Sequence, residues 1–180
     1  MKLGIYIGSF NPVHNGHINL VEFLINNNYV DEVLIVPTGN YWDKQNLIDL
    51  KQRIEMLKFF ESELIHIDTK HNNIPYTSDL MNELKKDYNF NLYLIIGADN
   101  LLRLNEWHNY EELIKNNIIV VPRDNIDIEY YKNKLGIKNL IVAKDYEPID
   151  ISSTEIRDGE NKYLDDKVLN YIKDNKLYGR

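Results

Sequence analysis

Short apolar runs without polar alternation recur along this chain, and each is followed by a stretch whose apolar residues fall at helical spacing. The runs are residues 3–7, 33–36, 92–96, 118–121 and 140–143, with a shorter one at 64–67 that carries His66. A strand with no polar alternation is covered on both faces. Strands separated by helices pair in parallel, and right-handed crossovers limit the ways they can be joined. The predicted fold is therefore α/β: a Rossmann-like, doubly wound parallel sheet with helices on both faces, in one domain over residues 1–180.

Helices are predicted around residues 18–24, 49–60, 77–88, 110–115, 126–135 and 164–173, with a further helical region up to Leu104. In the second, Leu50, Ile54, Met56 and Leu57 lie toward one side. In the third, Thr77 or Ser78 is the candidate cap. In the last, Val168, Leu169 and Ile172 share a face.

Composition narrows the classes of function. The 180 residues include no cysteine, which excludes disulfides and zinc–thiolate sites. The net charge of −7 argues against a nucleic-acid partner, because such proteins usually carry a basic face. No stretch reaches the ~20 apolar residues of a membrane span, and the N-terminal apolar run is too short for a signal peptide. A cytoplasmic protein without a membrane partner is expected.

In such sheets, ligands bind beyond the carboxyl ends of the strands. The segment GSFNPVHNGH, residues 8–17, leaves the first strand there and enters the first helix. Gly8 permits a tight turn, and Gly16 permits close approach of another group. A helix N-terminus offers unpaired N–H groups and a positive dipole end. His14 and His17, three residues apart, fall on one side of it. The dipole is expected to disfavour their protonation until a polyphosphate binds. An H-x-x-H pair also suits a metal, although structural and catalytic sites need at least three ligands. Neither G-x-G-x-x-G nor G-x-x-x-x-G-K-[ST] occurs in this turn, which disfavours a dinucleotide fingerprint and a P-loop. Near the other end, residues 151–157 read ISSTEIR. Their hydroxyls and Arg157 make either a second anion site or an ordinary capped helix with a solvated arginine.

Together these segments resemble the two signatures of the nucleotidylyltransferase superfamily, G-x-F-x-P-x-H-x-G-H and I-S-S-T-x-[IV]-[RK]. Gly8, Phe10, Pro12, His14, Gly16 and His17 match the first; Ile151, Ser152, Ser153, Thr154, Ile156 and Arg157 match the second. The resemblance implies an adenylyltransferase-type fold. It also implies that ATP meets Gly8, Ser9, Phe10, Gly16, Gly97, Asp99, Ile151, Ser152, Ser153 and Thr154, with His14, His17 and Arg157 at the reacting phosphates. Mg²⁺ is expected to arrive with ATP, with no dedicated metal site in the protein.

The middle of the chain is similar to bacterial nicotinate-nucleotide adenylyltransferases. It carries Gly97-Ala98-Asp99 followed by Trp107 and Glu112-Leu113, Tyr76-Thr77-Ser78-Asp79, Val121-Pro122-Arg123, and the tail Tyr171-Ile172 with Leu177-Tyr178. This implies a mononucleotide acceptor contacted by Lys44, Thr77, Trp107 and Arg123. An indole face suits a flat pyridinium cation. The alternative for Trp107 is a core residue, and for Lys44 a solvated side chain. Two departures stand out. Asn11 occupies a position where the family often has Asp, and Tyr41-Trp42-Asp43-Lys44 replaces a P-P-H-[KR] segment, keeping only its last residue. The expected activity is transfer of AMP from ATP to nicotinate mononucleotide in NAD biosynthesis. The alternatives are another acceptor (nicotinamide mononucleotide or phosphopantetheine) or a non-catalytic nucleotide-binding module. Nothing in the sequence decides the oligomeric state.

Overall fold

The computed structural model describes residues 1–41 and 46–180. Its strands are β1 (Lys2–Gly8), β2 (Glu32–Pro37), β3 (Ile65–Ile67), β4 (Asn91–Gly97), β5 (Asn117–Val121) and β6 (Leu140–Val142). They form one six-stranded sheet in the order β3-β2-β1-β4-β5-β6, with every neighbouring pair parallel. The order reverses between β1 and β4. This opens a crevice beyond Gly8 and Gly97, the last residues of those two strands.

Helices cover both faces: α1 (Asn15–Asn26), α2 (Leu50–Leu57), α3 (Thr77–Asp87), α4 (Tyr110–Leu113), α5 (Ile128–Leu135), α6 (Ser153–Arg157) and α7 (Asp166–Asp174). The strands send alternate residues into two cores. Val33, Ile35, Ile95, Ile119 and Val121 meet Val21 and Leu24 of α1, Met56 and Leu57 of α2, and Val168 and Ile172 of α7. Leu34, Val36, Leu94, Ile96 and Val120 meet Leu80, Met81 and Leu84 of α3, together with Leu101, Leu104 and Leu113. Each such side chain contributes roughly 1.5–3 kcal/mol by leaving water. No helix among the described residues is long and apolar enough to cross a membrane.

Three local expectations are corrected. The residue preceding α3 is Tyr76, so Thr77 and Ser78 are its first two helical residues rather than its cap, and Ser78 is buried. The stretch after β4 is a 3-10 helix, Ala98–Glu106, kinked at Arg103. The buried side of α2 is not wholly apolar: Arg53 lies there with Met56 and Leu57, whereas Leu50 and Ile54 are only half-buried.

Candidate active site

The turn after β1 is tied down through its own carbonyl groups. The Gly8 carbonyl accepts from the Thr38 N–H (2.9 Å), and that of Ser9 accepts from Arg53 Nη1 (2.8 Å). The Asn11 carbonyl accepts from Arg157 Nη1 (2.8 Å) and that of Pro12 from the Ser153 hydroxyl (2.9 Å). Asn11 itself is buried, with its Oδ1 accepting from the Tyr178 hydroxyl (2.6 Å). The second signature and the C-terminal tail thus grip the first signature directly. The two ends of the chain meet at one place.

His14 is the residue that caps α1, and His17 sits three residues on in its first turn. His14 Nδ1 accepts from the Gly16 N–H (3.0 Å). His17 Nδ1 accepts from the His14 N–H (3.1 Å). The two rings stack with centroids 3.7 Å apart and planes 22° from parallel. Phe10 meets His17 edge-on, with centroids 4.9 Å apart, and is itself buried. A Cβ on Gly16 would lie 2.8 Å from His14 Cε1 and 3.2 Å from Ile151 Cγ2, so glycine is what lets the ring and the second signature close together.

These bonds fix the state of the imidazoles. A ring whose Nδ1 accepts from an amide carries its proton on Nε2 when neutral. Burial lowers the His14 pKa to about 4, against a smaller opposing effect of Glu155. Burial, and then His14 itself, holds His17 well below the usual histidine value. Desolvation is the largest cause of both shifts. At neutral pH both histidines are therefore uncharged Nε2–H donors.

A cleft of about 700 Å³ opens at the sheet's switch point. Among the residues singled out in the sequence, it is lined by His14, Gly16, His17, Thr77, Gly97, Asp99, Trp107, Arg123, Ile151, Ser152 and Ser153. Gly8, Ser9, Phe10, Thr154 and Arg157 do not line it; they lie in or against the walls that hold the turn. Thr154 Oγ1 accepts from Arg157 Nη2 (3.1 Å). Ser152 caps α6, its hydroxyl accepting from the Glu155 N–H (3.2 Å). Lys44 and Trp42 fall outside the described residues. Trp107 is half-buried and Arg123 exposed, so the far end of the cleft is open to solvent.

The cleft also takes in Tyr6, Asn100, Tyr146 and Asp150, which the motifs do not include. Tyr6 had a signal, since it lies two residues before Gly8 and so on the same side of the strand. Among the described residues no three His, Asp or Glu side chains converge on a point that would hold a metal ion.

Two histidines set as neutral donors, at a helix N-terminus and at the switch point of a 3-2-1-4-5-6 sheet, suit a phosphate chain. The sequence profile of the cytidylyltransferase-like family matches residues 5–159.

The chain belongs to the cytidylyltransferase-like family.

Its similarity to individual proteins runs nearly end to end. A protein of Acholeplasma laidlawii named "Probable nicotinate-nucleotide adenylyltransferase" is 36% identical, over 97% of this chain and 96% of the relative. A protein of the same name from Caldicellulosiruptor saccharolyticus is 35% identical over 99% of each. Among solved structures, Plasmodium falciparum nicotinic acid mononucleotide adenylyltransferase complexed with NaAD superposes with a TM-score of 0.82. It is 26% identical, with 99% of this chain and 97% of that one covered. This cytidylyltransferase-like chain is thus similar in sequence and in fold to adenylyltransferases of nicotinate mononucleotide.

Proposed function

We propose that the protein transfers the AMP part of ATP to nicotinate mononucleotide, releasing pyrophosphate and forming nicotinate adenine dinucleotide. The observation that carries this reading is the pair His14 and His17. Both have Nδ1 fixed by a backbone N–H, and both line the cleft between β1 and β4.

ATP lies along the first turn and the second signature, with its triphosphate at the two imidazoles. The acceptor enters from the open end, its ring against Trp107 and its carboxylate near Thr77, with Arg123 at the rim. Asp99 accepts from a ribose hydroxyl. An oxygen of the acceptor phosphate attacks the α-phosphorus in line, and the bond from that phosphorus to the pyrophosphate oxygen breaks. The nucleophile is already ionised at pH 7, so no residue has to remove a proton. The work of the chain is positioning and charge stabilisation. The Nε2–H groups of His14 and His17 donate to oxygens on which charge grows, and neutral rings need no reorganisation to do so. Arg157 acts from behind the turn, through the Asn11 carbonyl. Mg²⁺ comes with ATP and keeps most of its ligands from phosphate and water; the described residues supply no cage for it.

The test is incubation of the purified protein with ATP, Mg²⁺ and either nicotinate or nicotinamide mononucleotide, followed by product analysis. Nicotinate adenine dinucleotide and pyrophosphate should appear in equal amounts. Binding of ATP with no product from either mononucleotide would instead mark a nucleotide-binding module. Trp107→Ala should raise the acceptor KM by about tenfold and leave the ATP KM near its starting value, as expected for loss of a stacked ring worth ~0.5–2 kcal/mol. An unchanged acceptor KM would remove Trp107 from the pocket.

A further inference from the structure

Among the described residues Arg53 is the largest side chain with no solvent exposure, yet it lies outside both signatures and outside the cleft. A buried guanidinium usually has a carboxylate partner. Here no carboxylate among the described residues lies within ion-pair distance, and the Asp49 carboxylate acts on the guanidinium only through space. Its three nitrogens donate to three neutral oxygens instead: Nε to the Ile48 carbonyl (3.1 Å), Nη1 to the Ser9 carbonyl (2.8 Å) and Nη2 to Asn40 Oδ1 (3.1 Å). Asn40 Oδ1 also accepts from the Leu50 N–H (3.1 Å), and its Nδ2 donates to the Ile48 carbonyl (3.2 Å). One rigid fork therefore joins the first turn to two points on the chain that runs from β2 to α2.

The consequence lies on the other side of a peptide plane. With the Ser9 carbonyl held by Arg53, the N–H of Phe10 must point the opposite way. That N–H has no hydrogen-bond partner among the described residues. Phe10 has φ 48°, a left-handed conformation that costs a bulky residue free energy and has to be held from outside. The same Phe10 ring supports His17.

We propose that Arg53 is a positioning residue for adenylyl transfer: by gripping Ser9, Asn40 and Ile48 together it sets the Ser9–Phe10 peptide, and through it the Phe10 ring and the imidazole of His17. This rests on the functional reading above. Lysine at this position keeps a charge but cannot fill a planar three-way fork.

The experiment compares wild type, Arg53→Lys and Asn40→Ala, each assayed well below its own unfolding temperature, with kcat and both KM values measured on fully folded protein. Arg53→Lys should lower kcat by about 10- to 100-fold, the range expected for a misplacement of about 1 Å. Its ATP KM should move by less than about threefold. A role confined to stability would lower the unfolding temperature and leave kcat per folded molecule alone. Asn40 is exposed, so Asn40→Ala should fold even if Arg53→Lys does not. It frees one arm of the fork and should lower kcat about fivefold. Wild-type kcat in Asn40→Ala and in any folded Arg53→Lys overturns the inference while the proposed activity stands. A wild type that forms no dinucleotide overturns the activity itself, and the inference with it.

Discussion

His14 and His17 at the cleft and His71 behind β3 are the same residue type, yet burial decides the charge of the first pair while two carboxylates decide that of the second. His71 is buried, with Nδ1 2.7 Å from Asp68 Oδ1 and Nε2 2.6 Å from Asp87 Oδ2. Burial pushes its pKa down, but the hydrogen bonds to Asp68 and Asp87 together outweigh it and the net shift is upward. Both ring nitrogens are consumed, and the side chain is a strut between the end of β3 and the end of α3 whose charge the two carboxylates favour. At the cleft, one nitrogen of each ring is used for alignment and the other is left as a donor. What distinguishes the cleft histidines from His71 is this spare N–H rather than burial.

The contrast is broken most directly by removing a donor. His17→Ala should lower kcat by roughly 10²–10³-fold with a much smaller change in the ATP KM, the size found when one preorganised donor to a transition-state oxygen is lost. An unchanged kcat with a raised KM would make His17 a binding residue only.

The second measurement is the pH dependence of stability, where the two regions should slope in opposite directions. The unfolded chain protonates a histidine near pH 6.5, whereas folded His14 stays neutral down to about 4. The fold therefore loses stability as pH falls through that window, by roughly 3 kcal/mol for a shift of this size. His17 adds to the loss. Denaturant unfolding at pH 7 and pH 4.5 should show it, and His14→Gln should flatten it. The stabilisation from His71 is complete below pH 6.5 and is lost as pH rises through its elevated folded pKa.

Asp68→Asn sharpens the comparison from the other side. It should cost about 2 kcal/mol below pH 6.5, as for a hydrogen bond to a charged group. Its effect should shrink at higher pH, and kcat should stay unchanged. A fall in kcat would join the strut to the active site. The smallest effect expected is that of Ser153→Ala, about 1 kcal/mol of stability from the lost bond to the Pro12 carbonyl.

The same contrast explains what could be read from the chain alone. Five of the six strands are legible as unbroken apolar runs, the third being interrupted by His66, and no strand end shifts by more than one residue. The first turn was legible because its glycines and histidines are neighbours in sequence. Arg53 is not legible in the sequence as a buried residue, because only the apolar positions of α2 mark its buried side there. Its position three residues after Leu50 and three before Met56 was the available signal. The His71 clamp was invisible for a different reason. Asp87 is 16 residues away, and only folding brings it within reach. Desolvation of His17 is not legible either, since the rings of Phe10 and Tyr6 reach it only in three dimensions.

The bonds from Ser153, Arg157 and Tyr178 to Asn11 and Pro12 join residues 141 to 167 positions apart. All six strands precede Ser153 in the sequence. Cutting the chain between β6 and Ser153 would therefore leave every strand but none of these three fasteners, so the turn should loosen while the sheet persists.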